Sequence, residues 1–335
     1  MNRRNFIYNS AIAGLSTPFV SIGSQTNQTP SLIKPPAIPK NGTVQLITPG
    51  SALSRSAFEK MLENIEELGF KAKYSDNIKV RSGFLSGTDM QRVQDLHDAF
   101  RDDSVDGIIC GRGGYGSGRL LPLIDFDLIR NNPKVLVGFS DITALLIGMY
   151  QKSGLVGFHG PVGASGYNDF TMDYLIDTVV KGKKVKVKSD EDAIFGGECE
   201  GKLIGGNLSL LVSQIGTPYD VDYSGHILFI EEIGESTYRV DRMLTQLLNA
   251  GKLDGVKGVA LGYFTNCDAQ KDDPYFEFSI SLDEVFKERF GSLGVPVAKG
   301  FPIGHEAHNA TLPVGINASL DADKGEIKIL ESSVL

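Results

Sequence analysis

Lys134-Val-Leu-Val-Gly-Phe-Ser-Asp-Ile-Thr-Ala-Leu-Leu146 is the stretch whose reading governs the rest of the chain. Val135 to Val137 form an apolar β-type run, and Gly138 tightens the backbone. Ser140 then stands just before a helical pattern in Ile142, Leu145, Leu146 and Met149. A serine on a sharp strand-to-helix turn has its Oγ lifted clear of the sheet. The free N–H groups and positive dipole end of the helix start can stabilise an oxyanion beside it. The same position also suits a plain N-cap, a role serine favours. A Gly-x-Ser without a following x-Gly does not separate the two readings.

Upstream, strands and helices alternate. Thr43 to Thr48 reads as a strand ended by Pro49-Gly-Ser51. A helix follows from Arg55 to Leu68, with Phe58, Leu62, Ile65 and Leu68 on one face and Gly69 as its C-cap. Lys71 to Tyr74 is a second strand. Asp89 to Phe100 is an amphipathic helix capped by Thr88 or Asp89, and His97 on it reads as a boundary residue. Val105 to Cys110 is a short buried strand that empties into Gly111-Arg-Gly-Gly-Tyr-Gly-Ser-Gly118, and a helix is expected from Arg119 to Ile129. This alternation predicts a parallel sheet covered on both faces, with functional loops at the carboxyl ends of its strands. The glycine-rich loop and Ser140 fall on such ends in consecutive units, so they can face one another. A nucleotide site is not supported, because Gly-Lys-Ser/Thr and the dinucleotide spacing are both missing. Backbone amides offered to a carbonyl or carboxylate oxygen account for the glycines equally well.

After Phe158-His-Gly-Pro161 the pattern changes. Residues 166–200 are polar and irregular and read as a linker between domains at 40–165 and 201–335; their basic run Lys181 to Lys188 reads as a solvated strand edge. A second glycine cluster, Glu200 to Leu208, leads into an apolar helix. Ile227 to Ile230 is a buried strand ending in Glu231-Glu232-Ile-Gly-Glu235, and a helix follows from Tyr238 to Leu248. Further strands lie at 256–264 and 295–298, before the turn Gly304-His-Glu-Ala-His-Asn309. Separate strand ends thus offer a serine (Ser140), a carboxylate (Glu231, with Glu235 in competition) and an imidazole (His305, with His308 in competition). Serine needs a neutral imidazole to take its proton. The imidazole in turn needs a carboxylate to fix its tautomer and stabilise its cation. A zinc site is not expected: His305 and His308 are three apart rather than four, and their neighbours disfavour a helix.

Composition bounds the function. Hydrophobic content of 41% and charged content of 22% over 335 residues are those of a soluble globular protein with room for two domains. The net charge of −8, without a dense Lys/Arg cluster, argues against nucleic acid as a partner. Three scattered cysteines, Cys110, Cys199 and Cys267, show neither metal-ligand spacing nor a disulfide framework. Residues 1–39 read as an export signal and linker. Arg3-Arg4 precedes Phe6, a mild Ala-, Gly- and Ser-rich run spans Ala11 to Ile22, and a polar stretch follows. That layout predicts twin-arginine export to the periplasm or beyond, with no membrane span.

Taken together, Gly111-Arg-Gly-Gly-Tyr-Gly116, Val137 to Ala144, His159-Gly-Pro161, Gly205-Gly-Asn-Leu208, Gly216-Thr-Pro218, Ile230-Glu-Glu232, Tyr238 to Arg242 and Gly304-His305 resemble the LD-carboxypeptidase family of serine peptidases. The resemblance runs from about Thr43 to the C-terminus. It implies an α/β fold: an N-terminal flavodoxin-like parallel-sheet domain and a C-terminal mixed β/α domain, with the active site between them and often a homodimer. It further implies a triad of Ser140, Glu231 and His305, no cofactor and no metal. The implied reaction is removal of the terminal D-Ala from murein tetrapeptide. On this reading the amides of Asp141 and of Gly113 or Gly114 form the oxyanion hole, and Arg112 and Tyr115 are substrate-binding candidates. A minority branch of the family hydrolyses microcin-type aminoacyl nucleotides and often sets a Trp against the base; this chain contains no Trp. A non-catalytic periplasmic binding protein would also suit two α/β domains and an export signal, but it makes no use of Ser140, Glu231 and His305.

Overall fold

The apolar runs that alternate with helices in the first half of the chain do pair in parallel. The computed structural model describes residues 29–269 and 276–335; the export-signal reading of residues 1–22 lies outside them. The first sheet has six strands, ordered Leu312–Pro313, Phe158–His159, Val135–Gly138, Gly107–Cys110, Thr43–Ile47 and Lys71–Tyr74. The last five of these are mutually parallel. Numbered along the chain their order is 2-1-3-4-5, that of a flavodoxin-like sheet. The order reverses between Thr43–Ile47 and Gly107–Cys110, and a crevice opens outside the carboxyl ends of strands at such a point. Helices Arg55–Glu67, Asp89–Arg101 and Thr143–Ser153 cover the faces. The helix starting at Asp89 carries a reciprocal capping box between Thr88 and Gln91.

The second sheet is mixed. Its seven strands run Val297–Ala298, Gly258–Thr265, His226–Ile233, Glu198–Asn207, Asn317–Asp321, Glu326–Ile329 and Lys186–Lys188. The first four are parallel and the remainder antiparallel. One continuous apolar core joins the two sheets, from Val44, Ile109 and Phe158 in the first to Ile204, Phe229 and Val259 in the second.

Several segments depart from the sequence expectation. Residues 166–200 are not an irregular linker: Asp169–Val179 is a helix with Thr171, Leu175 and Val179 buried, and Lys186–Lys188 is an edge strand. The helix is tied to distant chain, since Asn168 Nδ2 donates to the carbonyl of Ala307 at 2.6 Å and Ile38 N to that of Val179 at 2.9 Å. Residues 33–38, read as part of a linker, also pack into the body. Ile38 is fully buried, and Ile33 exchanges backbone hydrogen bonds with Gly154 and Val156. The expected helix from Arg119 to Ile129 is two pieces, a 3₁₀ segment Ser117–Leu123 and a helix Phe126–Asn131. Pro122 lies inside the first piece, and Asp125 caps the second through Leu128 N. Leu312–Pro313, from the chain's last third, adds an antiparallel edge to the first sheet against Phe158–His159.

Candidate active site

Ser140 follows the strand Val135–Gly138 with φ of 62°. A side chain held in this left-handed region costs roughly 1–3 kcal/mol, and such strain gathers at functional turns. Neither the 3₁₀ turn Ser140–Ile142 nor the helix Thr143–Ser153 has a side-chain cap, so the N-cap reading of Ser140 fails. Its Oγ is thus not engaged as a cap among the described residues.

The structure brings Glu231 and His305 into contact. The Nδ1 of His305 lies 2.7 Å from Oε2 of Glu231, which is fully buried. The Glu231 strand continues to Ile233, and its pairing with Gly258–Thr265 slips between Ile230 and Glu232. The slip falls opposite Gly262, where an added β-carbon would meet both the carbonyl of Ile303 and Glu231 Cβ, so the chain entering the His305 turn lies directly alongside. Gly304 makes the contact possible: with φ of 115°, a β-carbon there would sit 2.8 Å from Glu231 Oε2. Burial pushes the Glu231 carboxyl above the usual carboxylate range, and the His305 hydrogen bond opposes that shift. Its other oxygen, Oε1, is buried without a hydrogen-bond partner among the described residues. The Phe139 ring packs 4.7 Å from the His305 ring and brings the serine turn against the imidazole. Ser140 and His305 are not hydrogen-bonded to each other here; such bonds often tighten only when substrate is bound.

Gly113 abuts the serine turn. A β-carbon on it would lie 3.1 Å from Ser140 Cβ and 3.3 Å from Asp141 N, so any larger residue would crowd the serine turn. Gly114 follows with φ of 86°. The Asp141 amide is one of the first N–H groups of a helix start, which lack intrahelical partners. Arg112 and Tyr115 lie exposed on the same loop. Arg112 donates to the carbonyl of Ala52 at 3.1 Å, and Tyr115 packs edge-on against Phe84.

The competing residues lie elsewhere. His308 packs its ring on Phe170, and Glu235 pairs with Arg239 at 3.3 Å rather than capping the helix Thr237–Asn249. Glu232 is buried and accepts hydrogen bonds from Asn207 Nδ2, Ser209 N, Ser209 Oγ and Ile233 N at 2.7–2.9 Å. Asn207 N donates to Thr143 Oγ1 at 3.0 Å and so ties the second sheet to the helix behind Ser140. Sequence reasoning missed that link, and also missed Arg92 and the Asp141 side chain. Only Arg92 had a signal, a charge inside the apolar stripe formed with Val93 and Leu96.

His159 is fully buried between Phe139 and Phe229, and neither ring nitrogen has a partner among the described residues. Burial pushes its pKa from 6.5 down to about 3, with nearby His305 adding to the shift. The unfolded chain therefore takes up a proton near pH 6.5 that the folded one refuses until about 3. Stability should fall as pH drops through that window, by up to about 1.4 kcal/mol per unit. Denaturation at pH 7 and pH 5 should show His159→Phe losing less stability than wild type. Parallel losses would mean that His159 does not drive the acid sensitivity.

With this geometry in view, comparison with known proteins gives a consistent family. Residues 44–160 match the LD-carboxypeptidase N-terminal domain and residues 200–320 the LD-carboxypeptidase C-terminal domain. A Bacillus subtilis protein described as "Probable murein peptide carboxypeptidase" is 38% identical over 90% of this chain and 95% of its own. The crystal structure of muramoyltetrapeptide carboxypeptidase from Oxalobacter formigenes superposes with a TM-score of 0.76 at 31% identity, over 86% of this chain and 97% of that one. The wild-type structure of the microcin C7 self-immunity protein MccF superposes with a TM-score of 0.81 at 25% identity, over 90% and 100%. Fold and matches define a hydrolase of the peptidase class with a mixed α/β fold. The chain belongs to the LD-carboxypeptidase family.

Proposed function

We propose that the protein is an exported serine carboxypeptidase that cuts the L,D peptide bond before the terminal D-Ala of murein tetrapeptide. The observation that carries this reading is the 2.7 Å contact between His305 Nδ1 and buried Glu231, beside a serine whose hydroxyl caps nothing. Glu231 keeps the proton on Nδ1 and leaves Nε2 as the base. His305 Nε2 takes the Ser140 proton as Oγ adds to the carbonyl carbon. The amides of Asp141 and of Gly113 or Gly114 receive the negative oxygen. The C–N bond then breaks, and the proton on Nε2 passes to the departing D-Ala amine. A water molecule gives a proton to the same nitrogen, attacks the acyl-enzyme and releases the shortened peptide, and Ser140 regains its proton. General base catalysis contributes ~10²–10⁴-fold and one oxyanion donor ~10²–10³-fold. Arg112 makes no ion pair among the described residues, and with Tyr115 it is offered as the group that meets the D-Ala carboxylate.

Hydrolysis of aminoacyl nucleotides is the second reading, supported by the TM-score of 0.81 to MccF and weakened by the absence of tryptophan. Mass spectrometry after incubation with defined muropeptides, and in parallel with an aminoacyl-nucleotide amide, separates the two. The expected result is a tetrapeptide shortened by one alanine and an intact nucleotide conjugate, with the activity in the envelope fraction of cells. An intact tetrapeptide beside a cleaved conjugate would reverse the assignment.

A further inference from the structure

We propose that Arg92 and the Asp141 carboxylate form a buried ionic cradle that presets the oxyanion hole, so that Arg92 is a positioning residue for the reaction proposed above. Arg92 lies on the helix Asp89–Arg101, and its side chain is only 1% exposed. Its Nη1 donates to the carbonyl of Pro49 and, at 2.9 Å, to that of Gly116; its Nη2 pairs with Asp89. One guanidinium thus joins the turn after the strand Thr43–Ile47 to the glycine-rich loop after Gly107–Cys110. The Asp141 carboxylate grips that loop from the other side, accepting from Gly116 N at 3.2 Å and Ser117 N at 2.8 Å. Ser117 Oγ donates to the carbonyl of Asp141 at 2.5 Å. Gly116 is therefore held at its carbonyl by a cation and at its amide by an anion. The turn at Gly50 and Ser51 closes the frame. Ser51 N donates to the carbonyl of Gly113 at 3.1 Å, and a β-carbon on Gly50 would meet both that carbonyl and Asp141 Oδ2 within 2.7 Å.

Fold stability does not explain this arrangement. Burying a guanidinium carries a desolvation cost that an apolar side chain of similar volume avoids, and Arg92 Nε has no partner among the described residues. What arginine adds is a rigid fork able to engage two loops at once, which lysine cannot reproduce. The glycine-rich loop carries one amide offered to the oxyanion, Gly113 or Gly114, and Asp141, whose carboxylate holds that loop, supplies the other. A loop with five glycines in eight residues is otherwise free to wander. Oxyanion stabilisation depends on donors fixed before charge develops, and a displacement of about 1 Å can cost ~10²-fold in rate.

The test uses the full chain carrying Arg92→Lys, Asp141→Asn or both. We expect each single change to lower kcat on murein tetrapeptide by ~10²-fold with KM within about threefold and the midpoint of the pH profile unmoved. Labelling of Ser140 by a fluorophosphonate should slow in parallel. Because both residues act through Gly116, the double variant should fall no further than the worse single one. The proposal is overturned if Arg92→Lys keeps kcat within about threefold, if KM alone rises, or if the two losses multiply. Should the Arg92 variants fail to fold, Ser117→Ala decides. It removes only one bond to the Asp141 carbonyl; a kcat loss of about tenfold supports the cradle, and unchanged kcat removes it. Active Ser140→Ala would sink the serine-peptidase reading itself, whereas inactive Ser140→Ala beside healthy Arg92→Lys would sink only the cradle.

Discussion

Replacing Ser140 by alanine is expected to lower murein tetrapeptide turnover by ~10⁴–10⁶-fold, the range seen when a serine nucleophile is deleted from other hydrolases. The thermal midpoint should stay within about 2 °C of wild type. Two observations point the same way. The Ser140 side chain caps neither the 3₁₀ turn nor the helix behind it, so losing Oγ removes no capping bond among the described residues. The residue also sits at φ of 62°, where alanine meets the same backbone strain as serine. Ser140→Gly separates strain from chemistry. It should be equally inactive yet more stable by about 1 kcal/mol, because glycine enters the left-handed region freely. A Ser140→Ala variant that kept most of its activity, or that lost substantial stability, would return Ser140 to an ordinary structural role.

Glu231→Gln should be nearly as damaging, with a loss of up to ~10⁴-fold by analogy with the aspartate of serine proteases. A glutamine amide can donate to Nδ1, which drives the His305 proton onto Nε2 and removes the base. It also removes the buried carboxylate that stabilises the imidazolium. Glu232→Gln is the informative control. Glu232 is buried too, but its partners are Asn207, Ser209 and the Ile233 amide, not the imidazole. Weakening those bonds should cost roughly 1–3 kcal/mol of stability while turnover stays within about tenfold of wild type. Glu235, paired at the surface with Arg239, should tolerate the same change in both assays. A crippled Glu232→Gln or Glu235→Gln beside a healthy Glu231→Gln would move the middle member of the triad.

The site was legible where local pattern and chemistry coincide. An apolar β-type run followed by a polar reactive residue marks a strand end, and strand ends of a parallel sheet face one crevice. On that basis Ser140, Glu231 or Glu235, and His305 or His308 stood out as candidates, and the family resemblance chose Ser140, Glu231 and His305 among them. The structure adds the slip beside Gly262, where the chain that leads to His305 runs alongside Glu231. The helices Arg55–Glu67 and Asp89–Arg101 were legible for a similar reason, since each carries a strong apolar period and its own cap.

Other features depend on partners far along the chain, which no local period encodes. The helix Asp169–Val179 buries Thr171, Leu175 and Val179 and is tied by hydrogen bonds to Ile38 and Ala307, so its polar surroundings read as linker. Leu312–Pro313 is too short to announce itself as a strand and exists only because the edge at Phe158–His159 is open to it. Arg92 shows only as a misplaced charge until Pro49 and Gly116 converge on it. The sequence by itself determined which residues could do the chemistry and which strands would carry them. Tertiary structure decided how the halves meet, through shared core and through Asn207 on Thr143, and how closely the site loops pack, Gly113 on the serine turn and Gly304 on Glu231.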